Sequence, residues 1–151
     1  MQTSAATTIE EIMTREPVCV DPNTTILQLA RIFEDYEISS APVIDGEGRL
    51  IGIATKTALI RRCAEGTGNT PPAYLFEILA EQGGEDTEVI PETLITVDDF
   101  MNEEPLTARA GERVSDVAAR MIEARSHRVT VIDKERFPIG IVTSLDLLRL
   151  L

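Results

Sequence analysis

Two five-residue stretches that lie 88 positions apart decide the fold of this chain: Ile51-Gly52-Ile53-Ala54-Thr55 and Ile139-Gly140-Ile141-Val142-Thr143. The same offset aligns residues 12–63 with residues 100–151 without a gap, and 14 of these 52 positions are identical. A fixed offset with clustered identities is the signature of an internal repeat. The 151-residue chain therefore consists mainly of two copies of one unit.

Each copy predicts the element order β-α-β-β-α, an α/β (α+β) fold. A short apolar stretch comes first, at 18–20 and 106–108. The next run has apolar residues at the spacing i, i+3, i+4, i+7, which gives a helix one apolar stripe. Two β-rich runs follow, and a second helix begins at Thr55 or Thr143, whose hydroxyl suits an N-cap. The stripes are Ile26, Leu29, Ala30 and Phe33 in the first copy and Val114, Val117, Ala118 and Met121 in the second, and the strands are 41–45, 50–55, 129–133 and 138–143.

The repeats define the domain organisation as residues 8–65, a linker at 66–95, and residues 96–151. A copy of about 52 residues buries little core alone, so we expect the two copies to pack around a pseudo-twofold axis. The linker is acidic, and Pro71-Pro72 and Gly83-Gly84 bracket an apolar pattern that predicts a short helix at 72–82.

Composition excludes several classes of function. The net charge is −12, and residues 63–108 contain eleven acids and no Lys or Arg. Nucleic-acid binding needs clustered bases, so nucleic acid is not an expected partner. No apolar run approaches the roughly 20 residues that a bilayer span needs, so no membrane association is expected. Cys19 and Cys63 form no CxxC or disulfide framework and predict reduced thiols in the cytoplasm.

Catalysis is not expected either. His127 is the only histidine, and no Ser/His/Asp or Cys/His grouping surrounds it. The sequence contains no P-loop and no cluster of metal ligands, so neither catalytic nor metal-binding residues are assigned. The glycines Gly52 and Gly140 are interpreted as strand positions that a helix or a ligand approaches closely, and Met13 and Met101 as core residues.

The repeated unit resembles the cystathionine β-synthase (CBS) domain, and the pair resembles a Bateman module. The residues that carry the resemblance are Ile12-Met13-Thr14, Pro42-Val43-Ile44-Asp45 and Gly140-Ile141-Val142-Thr143-Ser144-Leu145-Asp146. The resemblance implies clefts between the repeats that bind AMP, ADP, ATP or S-adenosylmethionine. A carboxylate at the start of a helix can accept hydrogen bonds from both ribose hydroxyls, and a threonine with helix N-terminal amides suits a phosphate.

Asp146 is the ribose ligand that the resemblance implies, with Thr143 at the phosphate and Ile141 beside it. The equivalent position in the first copy is Ala58, so only one cleft keeps the full motif. By the family's crosswise rule, Val18, Ile38 and Ser39 complete the Asp146 site. Two alternatives stay open: Asp146 as a helix first-turn acid that the dipole favours, and Thr143 as a simple N-cap.

The pair His127 and Arg128 is similar to the His-Arg pair of the γ subunit of AMP-activated protein kinase, which faces ligand phosphates. The crosswise rule turns this pair toward the Ala58 cleft, where Thr55 is the counterpart of Thr143. The alternative is a solvated pair at a helix end.

Two functions follow from the resemblance: a sensor that binds an adenosine-containing ligand, or a scaffold module with a degenerate, empty site that acts on an unidentified regulated protein. In either case the final helices predict a homodimer, because their apolar surface exceeds what one small module can bury. The residues of that surface are Leu59, Ile60, Leu145, Leu147, Leu148, Leu150 and Leu151.

Overall fold

The computed structural model describes residues 7–65 and 95–151, and the predicted linker helix at 72–82 lies outside these ranges. The predicted α+β class and the β-α-β-β-α order are confirmed. In the first copy, the leading stretch forms only a single bridge, between Val20 and Val43. The elements in chain order are α1 (Ile9–Ile12), β1 (Thr14–Arg15), α2 (Ile26–Tyr36), β2 (Ser40–Ile44), β3 (Leu50–Thr55), α3 (Lys56–Glu65), a 3-10 helix (Val97–Asp99), β4 (Thr107–Ala108), α4 (Val114–Ala124), β5 (Arg128–Ile132), β6 (Pro138–Thr143) and α5 (Ser144–Leu148).

The chain forms two compact units whose bounds cross those of the repeats. The first, called the Asp146 unit, comprises Met1–Val18, Ile44–Ile51 and Glu104–Leu151. The second, called the Ala58 unit, comprises Cys19–Val43 and Gly52–Glu103. Each unit thus combines most of one repeat with the segment that leads into the other, and the Asp146 unit also includes the turn between β2 and β3.

The leading segments pair with strands in equivalent registers. In the Asp146 unit, β1 runs antiparallel to β6, with Thr14 opposite Ile141. In the Ala58 unit, Asn102 forms the corresponding antiparallel bridge to Ile53, with both N···O distances at 3.0 Å. The two leading segments are therefore paired with their strands at positions that also differ by 88 residues.

A glycine makes each of these pairings possible. A Cβ atom at Gly140 would lie 2.5 Å from the sulfur of Met13, the residue that ends α1. A Cβ atom at Gly52 would lie 2.8 Å from the backbone oxygen of Asn102 and 2.9 Å from the sulfur of Met101. A close approach occurs at both glycines, and the approaching groups are the side chain of a methionine and the backbone oxygen of the residue after it, Thr14 or Asn102.

The Asp146 unit is built on a four-stranded sheet in the order β1-β6-β5-β4. One face of this sheet packs against α1 and α4 through apolar side chains, because Val129 and Val131 alternate with the other residues of β5. The opposite face carries the residues of the candidate site. The buried core cluster consists of Ile9, Met13, Ala108, Val114, Val117, Met121, Val129, Val131 and Val142.

The Ala58 unit contains α2 and α3, and the predicted stripe of α2 is buried at Ile26, Leu29 and Phe33. Leu59 on α3 is only 4% exposed. The prediction that Leu59 belongs to an exposed interface is therefore wrong, because its side chain is already covered within the chain.

Neither cysteine is in a disulfide; Cys63 is fully buried and Cys19 is half-buried. Burial raises the pKa of both thiols, which keeps them protonated at neutral pH.

The close approach at Gly52 predicts a large cost for one added methyl group. We expect Gly52→Ala to lower the free energy of unfolding by about 1–3 kcal/mol, because the Cβ atom meets a backbone oxygen that the Ile53 bridge holds in place. The matched control is Gly111→Ala, where a Cβ atom meets nothing within 4 Å, and its effect should stay within about 0.5 kcal/mol. Urea denaturation measures both; equal stability of the two variants would contradict the packing described.

Candidate functional site

The junction of β6 and α5 carries the two central residues of the predicted site. Thr143 is the N-cap of α5, in extended backbone with φ −116° and ψ 167°. The backbone N–H of Thr143 donates to Asp146 Oδ2 at 2.8 Å, and the backbone N–H of Asp146 donates to Thr143 Oγ1 at 3.4 Å. This reciprocal pair is a capping box, so the N-cap role left open for Thr143 is confirmed.

The cap leaves one carboxylate oxygen of Asp146 with spare acceptor capacity. Oδ2 also accepts from the hydroxyl of Thr143 at 3.2 Å, whereas among residues 7–65 and 95–151 the only partner of Oδ1 is Arg149, at 3.4 Å. The Arg149 side chain is 70% exposed, so water competes with this contact and the ion pair is weak. Oδ1 is therefore the atom available to a hydroxyl of a ligand.

The equivalent junction of β3 and α3 keeps the cap and lacks the carboxylate. Thr55 Oγ1 accepts from the backbone N–H of Ala58 at 3.0 Å. Because Ala58 has no side-chain acceptor, this junction cannot receive a ribose hydroxyl as Asp146 can.

The His127–Arg128 segment lies directly beside the Asp146 junction. The backbone carbonyl oxygen of His127 accepts two hydrogen bonds from Ser144, one from its backbone N–H at 2.9 Å and one from its side-chain hydroxyl at 3.2 Å. The hydroxyl of Ser126 donates a hydrogen bond to the backbone carbonyl oxygen of Arg128 at 2.7 Å. Arg128 is the register partner of Thr143 on β5 and β6. Cross-strand partners share a face, so Arg128 and Thr143 project to the same side of the sheet.

The electrostatic state of Arg128 is unusual. Its side chain is half-buried, and its Nε atom is buried without a hydrogen-bond partner among residues 7–65 and 95–151. Burial lowers the pKa of Arg128, because desolvation penalises the charged guanidinium. His127, in contrast, is exposed.

The remaining predicted residues divide between the two units. Ile141 is half-buried on β6, and Val18 belongs to the same unit. Ile38 and Ser39 belong to the Ala58 unit. There the backbone carbonyl oxygen of Ser39 accepts a hydrogen bond from the backbone N–H of Lys56 at 2.9 Å. This contact repeats the His127–Ser144 contact at the 88-residue offset. The crosswise completion of the Asp146 site by Val18, Ile38 and Ser39 stays a prediction, as does the turn of His127 and Arg128 toward the Ala58 cleft.

An apolar groove of about 420 Å³ lies between the C-terminal end of α4 and the start of α5. Its exposed edge includes Ile122, which is 77% exposed. No residue spacing predicts this groove, because it forms only when the two helices meet. Its lining residues are Ala118, Met121, Ile122, Arg125, Ser126, His127, Ser144 and Leu147.

Within the part of the chain that the structure describes, no group of three or more His, Cys, Asp or Glu side chains could hold a metal ion. No helix of those same residues is long and apolar enough to cross a membrane.

A family model described as CBS domain matches the chain twice, at residues 9–65 and 97–151. These matches cover more than half of the sequence and follow the two repeats. The chain belongs to the CBS domain family.

The relatives that this chain matches include a protein of similar length and a much longer one. The uncharacterized protein MJ1426 of Methanocaldococcus jannaschii is 28% identical over 152 residues, which cover 95% of this chain and 90% of that protein. L-aspartate semialdehyde sulfurtransferase of the same organism is 26% identical over 147 residues. The chain spans only 24% of the length of that sulfurtransferase.

Among solved structures, the CBS domain pair of protein MJ0100 resembles this chain with a TM-score of 0.71 and 26% sequence identity. The match covers 96% of this chain and 95% of that one. That CBS pair was determined in complex with 5′-methylthioadenosine and S-adenosyl-L-methionine.

Sequence reasoning missed one polar residue of the CBS sheet, Thr130. It is 0% exposed and lies on β5 between Val129 and Val131. The available signal was a threonine in an apolar strand, at the position where the first repeat has Pro42.

Proposed function

We propose that this CBS pair is a regulatory module that binds an adenosine-containing ligand, with the ribose on Asp146. The observation that carries the proposal is the free acceptor capacity of Asp146 Oδ1 on a side chain that is 14% exposed. A partly buried carboxylate forms charge-assisted hydrogen bonds that are stronger than neutral ones. Thr143, Ile141, Val18, Ile38 and Ser39 complete the proposed site.

The ligand class is AMP, ADP, ATP or S-adenosylmethionine. The complex of the MJ0100 CBS pair with two adenosine derivatives supports this class, since that pair matches nearly the whole chain. We propose about one ligand per chain, because the first repeat has Ala58 where the second has Asp146.

The alternative function is a scaffold whose ligand site is degenerate. Ala58 favours it, because one of the two junctions has lost the ribose acceptor while it keeps the cap. In both functions the module acts on a separate, unidentified protein in the cytoplasm and has no catalytic residues of its own.

We expect Asp146→Asn to weaken binding of AMP or S-adenosylmethionine at least tenfold. The amide keeps an oxygen for the N–H of Thr143, so the cap and the fold survive, but the charge-assisted bonds to ribose are lost. Each such bond contributes roughly 1.5–3 kcal/mol, and about 1.4 kcal/mol is a factor of ten. Isothermal titration calorimetry measures the dissociation constant.

The matched control is Asp116→Asn, which removes the same charge from an exposed first-turn acid of α4. It should leave the affinity unchanged. Equal affinity of Asp146→Asn and wild type would contradict the ribose role, and absence of binding by wild type would favour the scaffold.

We also propose that the exposed apolar residues of α4 and α5 form the contact of a homodimer. Leu145, Leu148 and Ile122 are 58%, 59% and 77% exposed, and Ile122 lines the groove beside His127. Leu147 and Leu150, predicted for the same surface, are instead half-buried against the core cluster. Large apolar side chains that are exposed close to one another often mark an interface, and a second copy can cover these residues isologously.

We expect the Leu145→Gln/Leu148→Gln double variant to be monomeric at tens of micromolar, where wild type is dimeric, because polar side chains remove the gain from apolar burial. The control is Tyr36→Gln on α2, a residue with a similar 59% exposure, which should leave the dimer intact. Sedimentation velocity measures the mass; a monomeric wild type would refute the proposal.

A further inference from the structure

The two turns that join paired strands are built in the same way. The first turn, residues 45–49, joins β2 to β3, and the second turn, residues 133–137, joins β5 to β6. Asp45 Oδ1 accepts from two backbone N–H groups of the first turn at 2.8 and 3.0 Å. Asp133 Oδ1 accepts from two backbone N–H groups of the second turn, both at 2.9 Å. An Asp side chain that bonds to the backbone ahead of it stabilises a turn, so the repeat encodes both turns locally.

The fourth residue of each turn has a left-handed backbone, and at this position the repeats differ. Gly48 has φ 90° in the first turn, and Arg136 has φ 73° in the second. Glycine adopts this conformation without steric cost, whereas the Cβ atom of an arginine strains it. Such strain persists only where other contacts outweigh it, and it is concentrated at positions with a function. The contacts of Arg136 must therefore favour an arginine over the glycine of the first repeat.

Arg136 binds both backbone groups of Leu50, the first residue of β3. The backbone carbonyl oxygen of Arg136 accepts from the N–H of Leu50 at 2.9 Å. Its guanidinium donates from Nε and Nη2 to the carbonyl oxygen of Leu50, both at 3.3 Å. Leu50 is only 2% exposed, so its backbone groups need partners within the protein. Both residues belong to the Asp146 unit, and their contact attaches the first turn to the second.

The repeat cannot supply the same contact in the opposite direction. The counterpart of Leu50 is Pro138, which has no backbone N–H to donate. The counterpart of Arg136 is Gly48, which has no side chain. A Cβ atom at Gly48 would instead lie 3.2 Å from the ring of Phe137. The attachment of the first turn therefore depends on Arg136 in a way that no symmetry-related residue can replace.

We infer that Arg136 is a latch on the first turn, and that this turn opens locally at a frequency that the Arg136 contacts set. The chain enters the Asp146 unit from the Ala58 unit at Ile44 and returns at Gly52, so the latch acts on a segment that continues into the Ala58 unit at both ends. Segments that few contacts hold open more readily than the whole protein unfolds. The latch includes none of the proposed ligand residues.

Hydrogen exchange of single amides in the full chain, followed by NMR at increasing urea concentrations below the unfolding transition, tests the latch. In wild type, exchange of the Leu50 N–H should depend little on urea, because local opening exposes little surface. The N–H groups of Ile53 and Thr130, which donate at 3.0 Å within the Ala58 unit and the Asp146 unit, should show a steep dependence. In Arg136→Ala the Leu50 N–H should exchange about tenfold faster, because the guanidinium bonds are lost.

The matched control is Arg125→Ala in the same unit. Arg125 is also an exposed arginine with a left-handed backbone, φ 55°, but its side chain lines the groove at the end of α4. This variant should leave the exchange of the Leu50 N–H as in wild type. Exchange of Leu50 at the wild-type rate in Arg136→Ala would overturn the latch. A urea dependence of Leu50 as steep as that of Thr130 would also overturn it, because the turn would then open only with its unit.

Discussion

The contact between a methionine of each leading segment and a glycine of a β-strand is the constraint on which the rest of this structure depends. At Gly140 and Gly52 there is no room for a side chain, because Met13 or Met101 and its neighbouring carbonyl group occupy that space. Because of this contact, each leading segment can pair with the strand that ends at a capping threonine. The candidate ligand residues follow that strand at once, so the packing that completes each unit also fixes the start of the helix that carries Asp146.

Much of this fold could be predicted from the sequence, because its elements are encoded locally. The apolar stripe of α4 appears as Val114, Val117 and Met121, all buried, and Thr143 caps α5 as its hydroxyl predicted. The pairing of β1 with β6 could not be predicted, since the two segments are more than a hundred residues apart and no local pattern records their register. The burial of Leu59 could not be predicted for a related reason. The sequence pattern of a helix does not distinguish an apolar residue that another element covers from one that stays exposed.

The candidate site likewise has a part that could be predicted from the sequence and a part that could not. The motif places Thr143 and Asp146 on one helix turn, and the structure adds which carboxylate oxygen the cap uses. Arg128 and Thr143 are neighbours because of the register between β5 and β6. Tertiary packing buries Arg128 Nε and Thr130 Oγ1, and neither atom has a hydrogen-bond partner among residues 7–65 and 95–151. Neither property is visible in a linear sequence, although a threonine within Val-Thr-Val-Ile was a usable hint. The two repeats therefore keep one architecture, while the first has Ser40, Pro42 and Ala58 where the second has Arg128, Thr130 and Asp146.

We propose that ligand binds at the polar face of the sheet in the Asp146 unit. Titration of protein labelled with ¹³C at the methyl groups of threonine and isoleucine, followed by NMR with AMP and S-adenosylmethionine, tests it most directly. We expect the methyl signals of Thr130, Ile141 and Thr143 to shift with ligand concentration, while those of Ile53 and Thr55, the repeat counterparts of Ile141 and Thr143, stay in place. Shifts centred on Ile53 and Thr55, with Thr130 and Thr143 unmoved, would contradict it.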